Sequence, residues 1–124
     1  MSVTTTFDSW AWIEHFAGTA NAQDTRKLLG SSEEICTPAL CLLEIKAKFI
    51  REKKPFQAWI DFICMRSRIV DLNKEIALKA AEYKAEGLHT SDAIVYATAQ
   101  AVQSTLLTGD EHFKKLPDVR LLQK

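Results

Sequence analysis

The chain has little that would staple, anchor or charge it. Only four glycines and three prolines occur among 124 residues, so a collagen-like or low-complexity linker composition does not apply. The three cysteines, Cys36, Cys41 and Cys64, are odd in number and form no CxxC pair. That argues against a disulfide framework and leaves them as reduced core or helix-face residues. His15, His89 and His112 are scattered, and no thiol stands at zinc-ligand spacing. No apolar run approaches the ~18 residues of a membrane span, and the opening MSVTTTFDS lacks a signal-peptide pattern. The expected location is therefore the cytoplasm, with no membrane association. Surplus charge is missing as well, since sixteen Lys and Arg balance sixteen Asp and Glu. This argues against a nonspecific coat on DNA without excluding nucleic acid as a partner. There is no GxxxxGK[ST] or GxGxxG loop to cradle a nucleotide, no Ser-His-Asp or Cys-His arrangement, and no internal repeat.

What remains is an ordinary globular composition, 47% hydrophobic and 26% charged, expected to form a single domain over residues 1–124 with a core of its own. The stretch TSDAIVYATAQAVQSTLLTGDEHF, residues 90–113, organises the rest. From Ala93 to Val102 it is apolar or small on nearly every side, the mark of a helix covered all round. Ser104 to Thr108 reads as a buried strand stopped by Gly109. A helix of about 13 residues runs ~20 Å, and a returning strand of about 5 residues climbs ~17 Å. Asp92 and Asp110 should therefore finish at one edge of the molecule. Either acid alone has a bland reading, Asp92 as a helix N-terminal carboxylate and Asp110 as part of a Gly-Asp turn. Two of them at the edge of a dry core invite a hard divalent cation such as Mg²⁺ or Mn²⁺.

The remainder of the chain alternates strand and helix. Val3 to Phe7 predicts a first strand ending at Asp8, although its three threonines make it less apolar than a buried parallel strand usually is. Ser9 to Phe16 is a short helix with Trp12 and Phe16 on one core face, ended by Gly18. Asn21 to Leu29 is a second helix, capped by Thr19 or Asn21 and closed by Gly30. Glu34 to Thr37 is a second strand, and Pro38 opens a helix to about Arg51 with Ala39, Leu42, Leu43, Ala47 and Ile50 as its core stripe. Phe56 to Arg66 is a broadly apolar helix that covers core or offers a partner surface. Arg68 to Leu72 is a strand, and Asn73 caps a helix to about Glu86 with Ile76, Ala77, Ala80 and Tyr83 facing in. Val119 to Leu122 is the last strand. This alternation predicts a three-layer α/β/α sandwich around a mainly parallel sheet.

In that architecture Asp8, Asp92 and Asp110 share the carboxyl edge of the sheet. Glu44 has a structural reading, an ion pair with Lys48 worth ~0.3 kcal/mol. Yet it sits about two turns below its helix start, and side chains tilt towards the N-terminus, so a Glu reaches the same edge where an Asp would fall short. Four crowded carboxylates repel unless protonated or metal-bound, and at neutral pH the metal reading is the better one. The basic run Lys46, Lys48, Arg51, Lys53 and Lys54 is open to two readings. It is either a solvated helix end that complements its own dipole or a contact to a phosphate chain, with Lys46, Lys48 and Arg51 the candidate RNA-binding residues.

FDSWAWIEHF, PALCLLEIKAKF, TSDAIVYATAQ and LLTGDEHF, in that order, resemble the four acidic blocks of the PIN domain, most closely the small single-domain ribonucleases that serve as VapC-type toxins. The resemblance implies that Asp8, Glu44, Asp92 and Asp110 form an acidic quartet holding one or two Mg²⁺ or Mn²⁺ ions. It further implies that Ser9 and Thr108 support water or a carboxylate behind it. It implies metal-dependent hydrolysis of RNA, a homodimer, and an antitoxin partner inserting a segment near the site. Beyond the fourth Asp, where some members carry a further acid or Asn, this chain has Glu111 and His112. Two other readings stand beside the toxin ribonuclease: a non-catalytic PIN-like interaction module docking through Trp59 and Phe62, and a metal-dependent nuclease outside a toxin system.

Overall fold

The structure is a computed structural model that describes residues 4–122. In chain order it contains β1 (Thr4–Phe7), α1 (Ser9–Ala17), one 3-10 turn (Ala20–Ala22), α2 (Gln23–Leu29), β2 (Glu34–Pro38), α3 (Ala39–Arg51) and α4 (Gln57–Arg66). There follow β3 (Arg68–Val70), α5 (Lys74–Ala85), α6 (Thr90–Ala101), β4 (Thr105–Thr108), a second 3-10 turn (Glu111–Phe113) and β5 (Val119–Leu121). Val3, expected at the head of the first strand, lies outside the described residues. Every strand pairing is parallel, and the order across the sheet is β3-β2-β1-β4-β5. The α/β/α sandwich with a parallel sheet is therefore the observed fold. Among the described residues, no helix is long and apolar enough to cross a membrane.

The strand order places the threonine-rich β1 in the middle of the sheet, where Thr5 and Thr6 are buried. A threonine serves there because it is β-branched like valine, provided its hydroxyl finds a partner. Thr6 Oγ1 meets Ser104 Oγ at 2.6 Å, and Thr5 Oγ1 reaches Glu33 Oε2 at 3.3 Å. Alternation along β4 then divides the core. Leu107 joins Phe7, Trp12, Ile35 and Ile63 on one face, and Leu106 joins Val95, Tyr96, Ala99 and Phe113 on the other. As expected, α6 is buried on most sides, from Ala93 to Ala99 apart from Ile94.

Some local expectations are corrected. The stripe that α3 buries is Cys41, Ile45 and Phe49, spaced by four, while Leu43 (64% exposed), Ile50 (55%) and Ala47 face outward. Apolar residues occur around most of that helix, so two phases of the 3.6-residue period fit, and packing chose the other one. Ala77 on α5 also faces out, beside the buried Ile76 and Ala80. No side chain caps α2: it starts from Ala22 after the 3-10 turn, and the Thr19 hydroxyl bonds Glu14 instead. Asn73 does cap α5, accepting the Ile76 N–H at 2.8 Å.

One buried polar chain stitches α1, β2 and the end of α4 together. Trp12 Nε1 donates to Thr37 Oγ1 at 3.1 Å, Thr37 and Ser67 share a hydroxyl hydrogen bond at 2.8 Å, and Ser67 Oγ donates to the Ile63 carbonyl at 2.7 Å. All of these groups are nearly solvent-free. Thr37→Val, equal in shape, should therefore orphan the indole N–H and cost about 1–3 kcal/mol. Urea unfolding should show a lower midpoint at unchanged slope; an unaltered midpoint would refute the stitch.

Candidate active site

In the order β3-β2-β1-β4-β5 strands are added to one side of β1 and then to the other, and an open parallel sheet leaves a crevice at the carboxyl ends of the strands where that order switches, here β1 and β4. Asp8 follows β1 there. Its extended backbone turns the chain into α1, and Oδ1 caps that helix by accepting the Ala11 N–H at 2.9 Å. Its other oxygen accepts the hydroxyl of Thr108, the last residue of β4. The same Thr108 oxygen accepts the backbone N–H of Asp110 at 3.0 Å. Asp110 Oδ1 in turn accepts the His112 N–H at 2.9 Å and so caps the 3-10 turn.

The other two acids arrive on helices. Asp92 lies in the first turn of α6. Glu44 lies further along α3, and Oε1 accepts the Ser9 hydroxyl at 3.1 Å. The alternative partner for Glu44, Lys48, is bonded to Glu52 instead. All four acids line one cleft of about 160 Å³, together with Ser9, Trp10, Ser91, Val95 and Phe113. None of the lining residues is Lys or Arg.

Burial sets the electrostatics. Asp8 is 4% exposed, and burial lifts its carboxyl from the ordinary 3.8 to about 7. The bonds from Thr108 and Ala11 oppose that rise, and the charges of Asp110 and Glu44 add to it. Burial also raises Glu44, against the pull of the Ser9 bond and with a push from Asp92. Asp92 is raised by burial and then by Asp110, with His112 and His89 opposing. Cys41 is buried beside these acids; its thiol is pushed up by burial first and then by the Asp8 and Glu44 charges. It is therefore no source of a thiolate nucleophile.

The tightest part of the cluster is Asp92, Asp110 and His112, which bring one ligating atom each within 4.8 Å of one another. His112 Nδ1 lies 3.1 Å from Asp110 Oδ1 and 3.7 Å from Asp92 Oδ2. Ligand atoms around a six-coordinate ion at ~2.1 Å sit ~3 Å apart, so these separations are compatible with a shared divalent cation. The carboxylate oxygens suit Mg²⁺ or Mn²⁺ alike, whereas the imidazole nitrogen is a ligand for a transition ion such as Mn²⁺ and not for the harder Mg²⁺. In the sequence His112 is marked only by its place, with Glu111, just beyond the fourth Asp. Lys46, Lys48 and Arg51 do not line the cleft. Lys46 sits over the Phe56 ring at 5.1 Å, Lys48 pairs with Glu52, and Arg51 is exposed in the last turn of α3.

With this geometry in view, comparison with known proteins is informative. The PIN domain family model matches residues 6–119. A toxin–antitoxin complex from Klebsiella pneumoniae contains a chain of the same fold, with a TM-score of 0.82 at 20% identity over 97% of this chain and 98% of that one. VapBC2 from Rickettsia felis, bound to a promoter DNA fragment, gives 0.78 at 19% over 96% and 97%. VapC20 from Mycobacterium tuberculosis, described as a sarcin-ricin loop cleaving toxin, gives 0.70 at 16% over 91% and 95%. No curated protein matches the chain.

The raised carboxyl of Asp8 has a consequence for stability. Between about 3.8, its unfolded value, and about 7, its folded value, the native chain holds a proton that the unfolded chain has lost. This group's contribution is thus fully present below about pH 4 and is lost as pH rises towards 7, up to about 4 kcal/mol in all. In EDTA, Asp8→Asn, which keeps the cap, should exceed wild type in urea-unfolding stability at about pH 8, and the gap should close towards pH 4. A gap independent of pH would contradict the assignment.

Proposed function

The chain belongs to the PIN domain family, and from that premise we propose that it is a metal-dependent endoribonuclease, the toxin of a toxin–antitoxin pair, acting in the cytoplasm. The observation that carries this reading is the convergence of Asp8, Glu44, Asp92 and Asp110 on one cleft lined, among the described residues, by no Lys or Arg. A bound Mg²⁺ or Mn²⁺ would polarise the scissile phosphate and lower the pKa of a water, supplying the nucleophile for hydrolysis. Asp92, Asp110 and His112, whose ligating atoms already lie close together, would hold that ion with Asp8 and Glu44 from the same cleft. The chain's other residues keep them in place. Ser9 orients Glu44 by its 3.1 Å bond, and Thr108 holds Asp8 while fixing the Asp110 backbone. The Ala11 N–H anchors the second oxygen of Asp8, so its carboxyl group has little freedom to turn away.

RNA as substrate rests on the family resemblance and on the likeness to the sarcin-ricin loop cleaving VapC20. An antitoxin partner rests on the likeness to chains of the Klebsiella pneumoniae and Rickettsia felis complexes. A homodimer is supported by the apolar side chains left outward on α3, Leu43 and Ile50. A second reading, a non-catalytic docking module, draws on the groove lined by Ile13, Phe16, Phe49, Pro55 and the partly exposed Trp59. The two readings part over metal, since a module has no use for a cation in the acid cleft.

Asp92→Asn or Asp110→Asn should lower RNA cleavage in Mg²⁺ or Mn²⁺ by at least about 100-fold while the circular dichroism spectrum stays native. The same ions should raise the melting temperature of the wild type and raise it less in either variant. Undiminished cutting by Asp92→Asn would end the nuclease reading, and a melting temperature indifferent to both ions would favour the module.

A further inference from the structure

Among the aromatic residues of α1, Trp12 is fully buried and Trp10 is half exposed, at 49%. A single exposed tryptophan is ordinary in itself. Its surroundings are not. Trp10 follows Asp8 and Ser9 directly, and it lines the acid cleft alongside Glu44, Asp92 and Asp110 as well as a small hollow with Glu14, Asn21, Gly109 and Leu122. Part of the ring rests on the turn that carries Asp110, because a Cβ at Gly109 would lie 3.2 Å from Cε3 and 3.5 Å from Cδ2. Glycine at 109 therefore admits the indole against the backbone, and any larger residue would press on it. The ring thus packs on the turn that delivers Asp110 while its own residue belongs to the segment that delivers Asp8, and about half of Trp10 is open to solvent.

A polyanion approaching this cleft meets four acids and, among the described residues, no Lys or Arg in its lining. The basic cluster on α3 does not line it either, with Lys48 committed to Glu52. A divalent cation can neutralise the reacting phosphate, but it does nothing for the neighbouring nucleotide. Aromatic stacking supplies affinity that needs no charge and accepts any base with a free π-face. We infer that Trp10 is a base-binding residue: it stacks an unpaired nucleobase flanking the scissile phosphate, and so favours RNA in which that base is free of a duplex. This rests on the nuclease reading and deepens it, by adding to the acids a residue that touches the substrate and not the cation.

The test compares wild type, Trp10→Phe, which keeps a ring, and Trp10→Leu, which keeps apolar bulk on Gly109. Each cuts a single-stranded oligoribonucleotide in Mn²⁺, and each also cuts versions with one nucleotide at a time made abasic. Trp10→Leu should raise KM about tenfold with kcat little changed, and Trp10→Phe should restore most of the loss. At one position beside the cut, the abasic change should cost wild type a similar factor and cost Trp10→Leu almost nothing more, as expected when both remove one contact. The Mn²⁺-induced rise in melting temperature should be equal in all three proteins. Equal KM values for wild type and Trp10→Leu, or abasic penalties that ignore the variant, would overturn the inference. If the wild type cut no RNA, the nuclease reading would fall on its own. The same series read as fluorescence-anisotropy binding would then still decide on stacking, with equal affinities for wild type and Trp10→Leu refuting it.

Discussion

One buried hydroxyl joins the two strand ends on which the acid cleft depends. Thr108 Oγ1 donates to Asp8 and accepts the N–H of Asp110, so a single atom ties the end of β1 to the turn after β4. The residue is solvent-free, and both bonds are made where water cannot substitute for them. Its β-branched side chain has restricted χ1, which holds the hydroxyl in place more firmly than a serine would. The Asp8 N–H also donates to the Leu107 carbonyl at 3.3 Å, so the sheet ladder continues into the site itself. The positions of Asp8 and Asp110 are thus set by the ends of two neighbouring strands of the parallel sheet.

Concentrating acids at that edge has an electrostatic cost, and the fold offsets part of it. Asp8 sits at the N-cap of α1 and Asp92 in the first turn of α6, where backbone N–H groups and the helix dipole favour negative charge. Those contributions are too small to cancel burial. Asp8, Glu44 and Asp92 all remain above their ordinary values, with burial the largest cause in each. A cleft left in that state is strained in the direction that cation binding relieves, and the strain is carried by side chains whose backbones are locked by strands and helix starts. Some stability is given up for a cluster of acids held in a fixed arrangement.

Much of this was legible in the sequence because the relevant signals are local. Gly109 after four residues of strand, Asn73 before Ile76, and Gly18 with its left-handed backbone each announce an element end by chemistry that tertiary packing does not override. The edge shared by Asp92 and Asp110 followed from the lengths of one helix and one strand. What stayed hidden depended on choices among near-equal options. The α3 helix carries apolar residues on several faces, so Ile45 and Phe49 compete with Leu43 and Ile50 for the core, and only the neighbouring α1 and α4 decide. Thr6 looked too polar for a central strand until Ser104, ninety-eight residues away, supplied its hydrogen bond. His112 reaches the acids through a turn whose backbone no periodicity describes.

The balanced charge of the chain also takes on a meaning in the folded molecule. Proteins that hold nucleic acid by phosphate contacts need a basic surplus and lose affinity steeply as salt releases counterions. Here the charges are partitioned: several acids gather at one end of the sheet, while Lys48 and Lys54 bond Glu52, Arg68 bonds Glu34, and Arg120 bonds Asp24. Such surface pairs add little stability in water, but they do remove free cations from the groups that would otherwise grip a phosphate chain at many points. Under the proposed nuclease reading, such an arrangement favours a small number of contacts close to the reacting phosphate over a long electrostatic footprint.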